Sequence, residues 1–310
     1  MTNLVKAGDF PRVFDSSMMA SWKSCPQFFY RTYVQHLKPK GLSVHLHAGK
    51  AFASGIEVAR EQFYVHGKPA EEAVALGGMR LVKDYGDFEC PPDSAKSLER
   101  TLGALEFYFD NYPLSHDKYP PITLPSGKRG IEFSFAVPID RKHPQTGEPL
   151  IYCGRLDALL QLDSQTPGAY ITDEKTTSSL GPTWSRQWDL RSQFTGYAWG
   201  CRESGIRADG VIVRGVSILK TKYDTQQAIS FRAPWQIDRW YEELLLYIDD
   251  IIRAWETSKW RHNYDSSCAD YGGCALKNAC SSEDPNPWLE TYFERRAWNP
   301  ILRTEDQVEV

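Results

Sequence analysis

The sequence predicts an α/β fold, and three observations carry that prediction. Residues 151–162 and 169–176 are apolar, strand-forming runs separated by Asp163-Ser-Gln-Thr-Pro-Gly168, a turn-forming stretch, so together they read as a β-hairpin. Residues 131–137 alternate as a further strand. Residues 50–66 and 186–202 repeat apolar side chains at helical spacing on either side of these strands.

Taken in chain order, 50–66 is the first helix. An insertion at 67–128 follows, with helical stretches at 69–85 and 95–112, broken by Pro91, Pro92, Pro113, Pro120, Pro121 and Pro125. Residues 129–220 form the core: the strand 131–137, the hairpin, the helix 186–202 and a strand at 211–219. Beyond it, 236–259 is an amphipathic helix on which Ile237, Tyr241, Leu244, Ile248, Ile251 and Trp255 step by three and four. Residues 303–310 read as a frayed tail, and the whole of 1–310 as one domain.

The hairpin concentrates charge. Alternation along the second strand puts Asp173 and Lys175 on one face and Glu174 on the other. A turn centred near Thr166 sets Asp157 opposite Lys175 and diagonal to Asp173, at roughly 5 and 8 Å between Cβ atoms. One reading is a cross-strand ion pair at a solvated margin. The other starts from Leu156, Leu159, Leu160, Leu162 and Ile171, which predict a covered hairpin. Two carboxylates under such cover lose hydration and repel each other, and Mg²⁺ or Mn²⁺ relieves both costs. A lysine beside that ion orients or deprotonates a water for attack on phosphorus, which makes the trio a phosphodiester-cleaving site.

Gly154-Arg-Leu-Asp157, Ile171-Thr-Asp-Glu-Lys-Thr176 and Gln193-Phe-Thr-Gly-Tyr197, in that order, resemble the RecB-like branch of the PD-(D/E)XK nucleases. The resemblance implies a restriction-endonuclease-like core, a mixed central sheet flanked by helices. It implies that Asp157, Asp173 and the backbone carbonyl of Glu174 bind Mg²⁺ or Mn²⁺, and that Lys175 is the catalytic lysine. Gln193 and Tyr197, one turn apart on a helix, would position substrate or buttress the site; the alternative is a helix packing against the sheet, which suits Tyr197 nearly as well. Residues 49–57 resemble the family's first motif, in which a glycine is followed by a metal-binding histidine and then a glutamate. The histidine position is Ala53 here, while Glu57 is retained one turn later and would reach the ion directly or through water. His45 and His47 fall just before the predicted helix, outside the family spacing.

Cysteine forms a second constellation. Cys268, Cys274 and Cys280 are evenly spaced near the end of the chain, and Cys25 precedes Pro26 near its start. With no C-x-x-C and no histidine at zinc-finger spacing, structural Zn²⁺ is the weaker alternative. An N-terminal Cys-Pro with three C-terminal cysteines resembles the iron-sulfur nucleases of the same group, including AddB-type and CRISPR-associated exonucleases. That resemblance implies a [4Fe-4S] cluster on Cys25, Cys268, Cys274 and Cys280, joining the segment 261–310 to the N-terminal part. As a cross-link closing about 250 residues, it would contribute on the order of 5 kcal/mol. Cys90, Cys153 and Cys201 stand alone and read as small core residues.

Composition narrows the classes further. Seven unevenly placed cysteines argue against a secreted disulfide framework, and neither a signal-like start nor a membrane-length apolar run is present, so a reducing cytoplasm, bacterial or phage-infected, is expected. The net charge of −4 does not suit a protein that only holds DNA, but a carboxylate-dependent nuclease tolerates it. Trp184, Trp188 and Trp199 lie among Arg186, Arg191 and Arg202, a candidate strip for stacking bases and gripping phosphates of a single strand. The alternative is that these aromatics fill the core, which leaves Arg186 the strongest DNA contact of the set.

Three functions follow. The first is a metal-dependent exonuclease acting on DNA ends in recombination, repair or phage- or CRISPR-related processing. The second, favoured by Ala53, is a nuclease-derived DNA-binding or scaffolding subunit of a helicase or integrase complex. The third is a nuclease that trims ends for an integrase. No P-loop is present, so unwinding would need a helicase partner, and a recombinase partner is equally consistent.

Overall fold

The computed structural model describes residues 8–41, 43–161, 169–264, 266–269 and 273–301. In chain order the elements are β1 (Val13–Phe14), α1 (Ser16–Ser24), α2 (Pro26–Phe29), β2 (Leu37–Pro39), α3 (Val44–Tyr64), α4 (Ala70–Tyr85) and α5 (Leu98–Asn111). They continue with β3 (Ile131–Lys142), β4 (Pro149–Gln161), β5 (Ala169–Thr177), α6 (Pro182–Arg186), α7 (Ser192–Glu203), β6 (Ala208–Ile218) and β7 (Tyr223–Phe231). The last are α8 (Pro234–Thr257), α9 (Lys277–Cys280), α10 (Asn286–Tyr292) and β8 (Phe293–Arg295). The chain is α/β, with a mixed sheet flanked by helices.

Contacts divide the chain into two compact units, one of residues 42–135 and 155–237, the other of 1–41, 136–154 and 238–310. In the first, β4 is antiparallel to β5, β5 is parallel to β6, and β6 is antiparallel to β7. Its core lies where α3, α4 and α5 bury Phe52, Ile56, Leu81, Leu105 and Tyr108 with Val216 and Ile218 of β6. Helices α3 and α4 approach until a Cβ at Gly77 would stand 2.4 Å from the carbonyl oxygen of Gly55, so only glycine fits there.

Several elements differ from their predicted bounds. The first helix begins at Val44 rather than residue 50, so His45 and His47 lie in its opening turns. The extra turn is held by tertiary contact: His47 Nε2 meets the carbonyl of Tyr85 at 2.8 Å, and its ring stacks on Phe88. The single helix expected over 186–202 is two, α6 and α7. Arg232 interrupts it by donating to the carbonyl of Trp188 and to the hydroxyl of Thr195, both at 3.0 Å. The strand β7 was not foreseen. The turn 163–168 and the tail 303–310 lie outside the described residues.

In the second unit, β1 runs parallel to the first residues of β4, and β2 pairs with β8. Helix α8 buries Trp240, Leu244, Ile248, Ile251 and Ala254, so its buried stripe is set one residue from the predicted Tyr241 and Trp255. Tyr241 is instead a partner, its hydroxyl accepting from the Asp140 amide at 3.1 Å. Among the described residues, no helix is long and apolar enough to cross a membrane.

Candidate active site

The hairpin register decides the site. Ala158 pairs with Thr172, Leu159 with Ile171 and Leu160 with Tyr170, which carries Asp157 opposite Asp173 rather than opposite Lys175. The expected pairing is therefore displaced by two residues along β5. A slip of two keeps every side chain on its predicted face. Asp173 and Lys175 share one face as expected, and the Lys175 ammonium lies against Oδ1 of Asp173. Asp157 Oδ2 accepts the backbone N–H of Glu174 at 3.1 Å, which ties the two strands where the acids meet.

Burial sets the electrostatics. Asp173 is 5% exposed, and loss of hydration pushes its carboxyl up despite the adjacent Lys175. Asp157 is pushed well above the usual carboxylate range, first by burial and then by the charges of Asp173, Glu174 and Glu132. Lys175 is held in its charged form by Asp173 and Asp157, whose attraction outweighs its own desolvation. Two desolvated acids facing one another are a hard-oxygen donor pair suited to a divalent cation.

Glu174 projects to the opposite face and is fully engaged. Arg60 of α3 meets it with Nη2–Oε1 at 2.5 Å and Nη1–Oε2 at 3.2 Å, and the Tyr108 hydroxyl donates to Oε1 at 3.1 Å. Arg214 of β6 donates to Tyr108 at 3.3 Å and makes two bonds to Asp117, at 2.6 and 2.8 Å. Sequence reading missed this network, because Arg60, Tyr108, Asp117 and Arg214 come from four separate segments. The one signal available was Arg60 lying one turn beyond Glu57 on an apolar helix face.

The other predicted residues divide. Gln193 Nε2 donates to the Tyr197 hydroxyl at 3.0 Å, so the pair exists as expected. Tyr197 is buried on the Asp173 side and its hydroxyl is pushed up, chiefly by burial and then by the Asp173 charge. Glu57 is half-buried on α3, and among the described residues no three His, Cys, Asp or Glu side chains form a group able to hold a metal, so it does not complete a triad with the two aspartates.

The expected stacking strip is not formed by the tryptophans. Trp184 and Trp188 are each 7% exposed, and Trp199 is buried too. A Cβ at Gly215 would meet the Trp184 ring at 2.3 Å, so that indole is a core piece seated on β6. The arginines of that strip, Arg186, Arg191 and Arg202, are exposed, while its three tryptophans are not.

In the second unit, Cys25, Cys268, Cys274 and Cys280 all line one cavity of about 170 Å³. The thiols of Cys274 and Cys280 are pushed up by burial and by the other cysteines of the set. Lining one cavity, the four thiols are a soft donor set, although among the described residues they are not drawn together into a metal-holding group. Cys153 and Cys201 are buried as expected, whereas Cys90 is a half-buried loop residue rather than a core one.

No family model matches the chain, and no curated protein matches it. Among solved structures, that titled "Crystal structure of SSO0001" is similar at 13% identity over 64% of this chain and 73% of that one, with a TM-score of 0.28. At that score the likeness carries no argument.

Proposed function

We propose that this chain is a Mg²⁺- or Mn²⁺-dependent deoxyribonuclease of the RecB-like PD-(D/E)XK kind, acting as an exonuclease on DNA ends. The observation that carries the reading is the Asp157–Asp173 pair, the first half-buried and the second buried, set opposite one another on the hairpin with the Lys175 ammonium against Asp173. Asp157, Asp173 and the carbonyl of Glu174 would hold the cation, which when bound supplies charge to a phosphoryl oxygen and activates water. The Glu174 amide fixes Asp157. Lys175, kept charged by its neighbours, acts as a cation that orients water and steadies developing negative charge, a role better supported than that of a base. Gln193 and Tyr197 brace the same face.

The cavity shared by four thiols supports a [4Fe-4S] cluster over zinc. Zn–S bonds of about 2.3 Å would draw the sulfurs into contact around one ion, whereas a cluster fills a space between them. Free DNA ends, single-stranded or unwound by a helicase, recombinase or integrase partner, are the expected substrates. The second reading, a DNA-binding subunit with weakened chemistry, is favoured by Ala53, which stands where the family has a metal-binding histidine.

Purified protein with Mg²⁺ or Mn²⁺ is expected to degrade end-labelled linear DNA, with Asp173→Ala and Lys175→Ala inactive but folded. Equal rates in wild type and variants would reject the nuclease; tight DNA binding without cleavage would establish the second reading.

A further inference from the structure

The β4–β5 ladder ends at Ala158 opposite Thr172, one position short of the two aspartates. Beyond it a side chain joins the strands, because the Glu174 N–H donates to Asp157 Oδ2 at 3.1 Å. The direction of the Asp157 carboxylate therefore depends on how the Glu174 backbone is held. Glu174 is held from the far face of β5. Arg60 donates to both of its carboxylate oxygens, at 2.5 and 3.2 Å, and the Tyr108 hydroxyl donates to Oε1 at 3.1 Å. The two holders are locked to each other, with Arg60 Nη2 donating to the Tyr108 oxygen at 3.0 Å, and Arg214 donates to the same oxygen at 3.3 Å. Arg60, Tyr108 and Glu174 are 4%, 1% and 7% exposed, so these bonds are shielded from water.

Stability does not account for the arrangement. Apolar side chains of similar volume often stabilise a fold as well as a buried ion pair does, whereas a two-point contact between guanidinium and carboxylate fixes both position and rotation. Here the fixed side chain belongs to the residue between Asp173 and Lys175, and strand alternation turns it to the face away from them. The clamp acts on the backbone that carries the site without entering the site.

We propose that Arg60 and Tyr108 are positioning residues for the candidate cation site: by clamping the Glu174 side chain they hold the Glu174 amide where it aims the Asp157 carboxylate across at Asp173. That the carboxylate so aimed is a metal ligand rests on the nuclease reading; the clamp itself does not.

The test compares the full wild-type chain with Arg60→Met/Glu174→Leu, Arg60→Lys and Tyr108→Phe. Two readouts other than cleavage are used: hydrogen exchange of the residue-174 amide in chelator-treated protein, resolved by NMR, and Mn²⁺ affinity from the electron paramagnetic resonance signal of the free ion. The double variant replaces the charges by a packed apolar pair and is expected to fold. Its residue-174 amide should exchange roughly tenfold faster than in wild type while those of Ile171 and Thr172 stay protected, and its Mn²⁺ affinity should fall about tenfold. Arg60→Lys, which keeps the charge but loses the two-point contact, should fall between the two, and Tyr108→Phe should lose about threefold on both readouts. Where wild type binds Mn²⁺, the proposal needs both changes: a folded double variant showing neither, or one without the other, overturns it. Should that variant not fold, Arg60→Lys and Tyr108→Phe decide on the same readouts. Wild type that binds no Mn²⁺ rejects the nuclease reading, and the exchange rates then decide alone whether the clamp holds the Glu174 amide.

Discussion

Arg60 grips both carboxylate oxygens of Glu174, the residue between Asp173 and Lys175, so helix α3 is tied to β5 where the strand presents its acid and its base. The two side chains are buried, at 5% and 1% exposed. An ion pair this deep adds little net stability, since desolvation of both charges offsets their attraction, but either charge left alone is expensive.

Removing one partner is therefore expected to cost far more than removing both. Arg60→Met or Glu174→Gln should each destabilise by about 3–5 kcal/mol, whereas Arg60→Met combined with Glu174→Leu should recover much of that loss. Urea denaturation of the three variants measures it; additive losses would contradict the desolvation account.

The paired aspartates predict a pH signature. Their folded pKa values are raised, so above the ordinary carboxylate range, near pH 4, the folded state binds more protons than the unfolded one. Stability is then present at low pH and lost as pH rises through the raised values. Asp157→Asn removes that loss, and chelator-treated variant should melt several degrees above wild type near neutral pH and no higher at about pH 4. Mn²⁺ should raise the melting temperature of wild type and leave the variant unmoved.

Trp184 and Arg186 lie two residues apart, the first buried and the second exposed. Trp184→Ala opens a cavity beside Gly215 and is expected to cost about 3–5 kcal/mol. Arg186→Ala, on the exposed side, should leave stability within about 0.5 kcal/mol and weaken DNA binding more at low salt than at high. Thermal melts and a salt series separate the two.

The cysteines predict a fold effect before a chemical one. Anaerobically prepared protein should carry iron and acid-labile sulfide with the visible absorption of thiolate-bound clusters. Cys25→Ser and Cys280→Ser should lose both and melt lower, while Cys153→Ser keeps the iron. Stoichiometric zinc with no iron would replace the cluster by the alternative metal.

The sequence by itself determined the strands β3 to β6, the faces of Asp173, Glu174 and Lys175, and the pairing of Gln193 with Tyr197. All of these follow from local periodicity, two residues in a strand and nearly four in a helix. Tertiary structure alone decided that Asp157 faces Asp173, because register depends on the turn and on packing across strands. It decided that Trp184 and Trp188 are core rather than a stacking surface, since burial is settled by what the rest of the chain lays over them. It also assembled the Arg60–Glu174–Tyr108–Arg214 network and the Lys96–Thr176 contact. These join residues far apart along the chain, and no local pattern records a contact whose partners meet only when helices and strands pack.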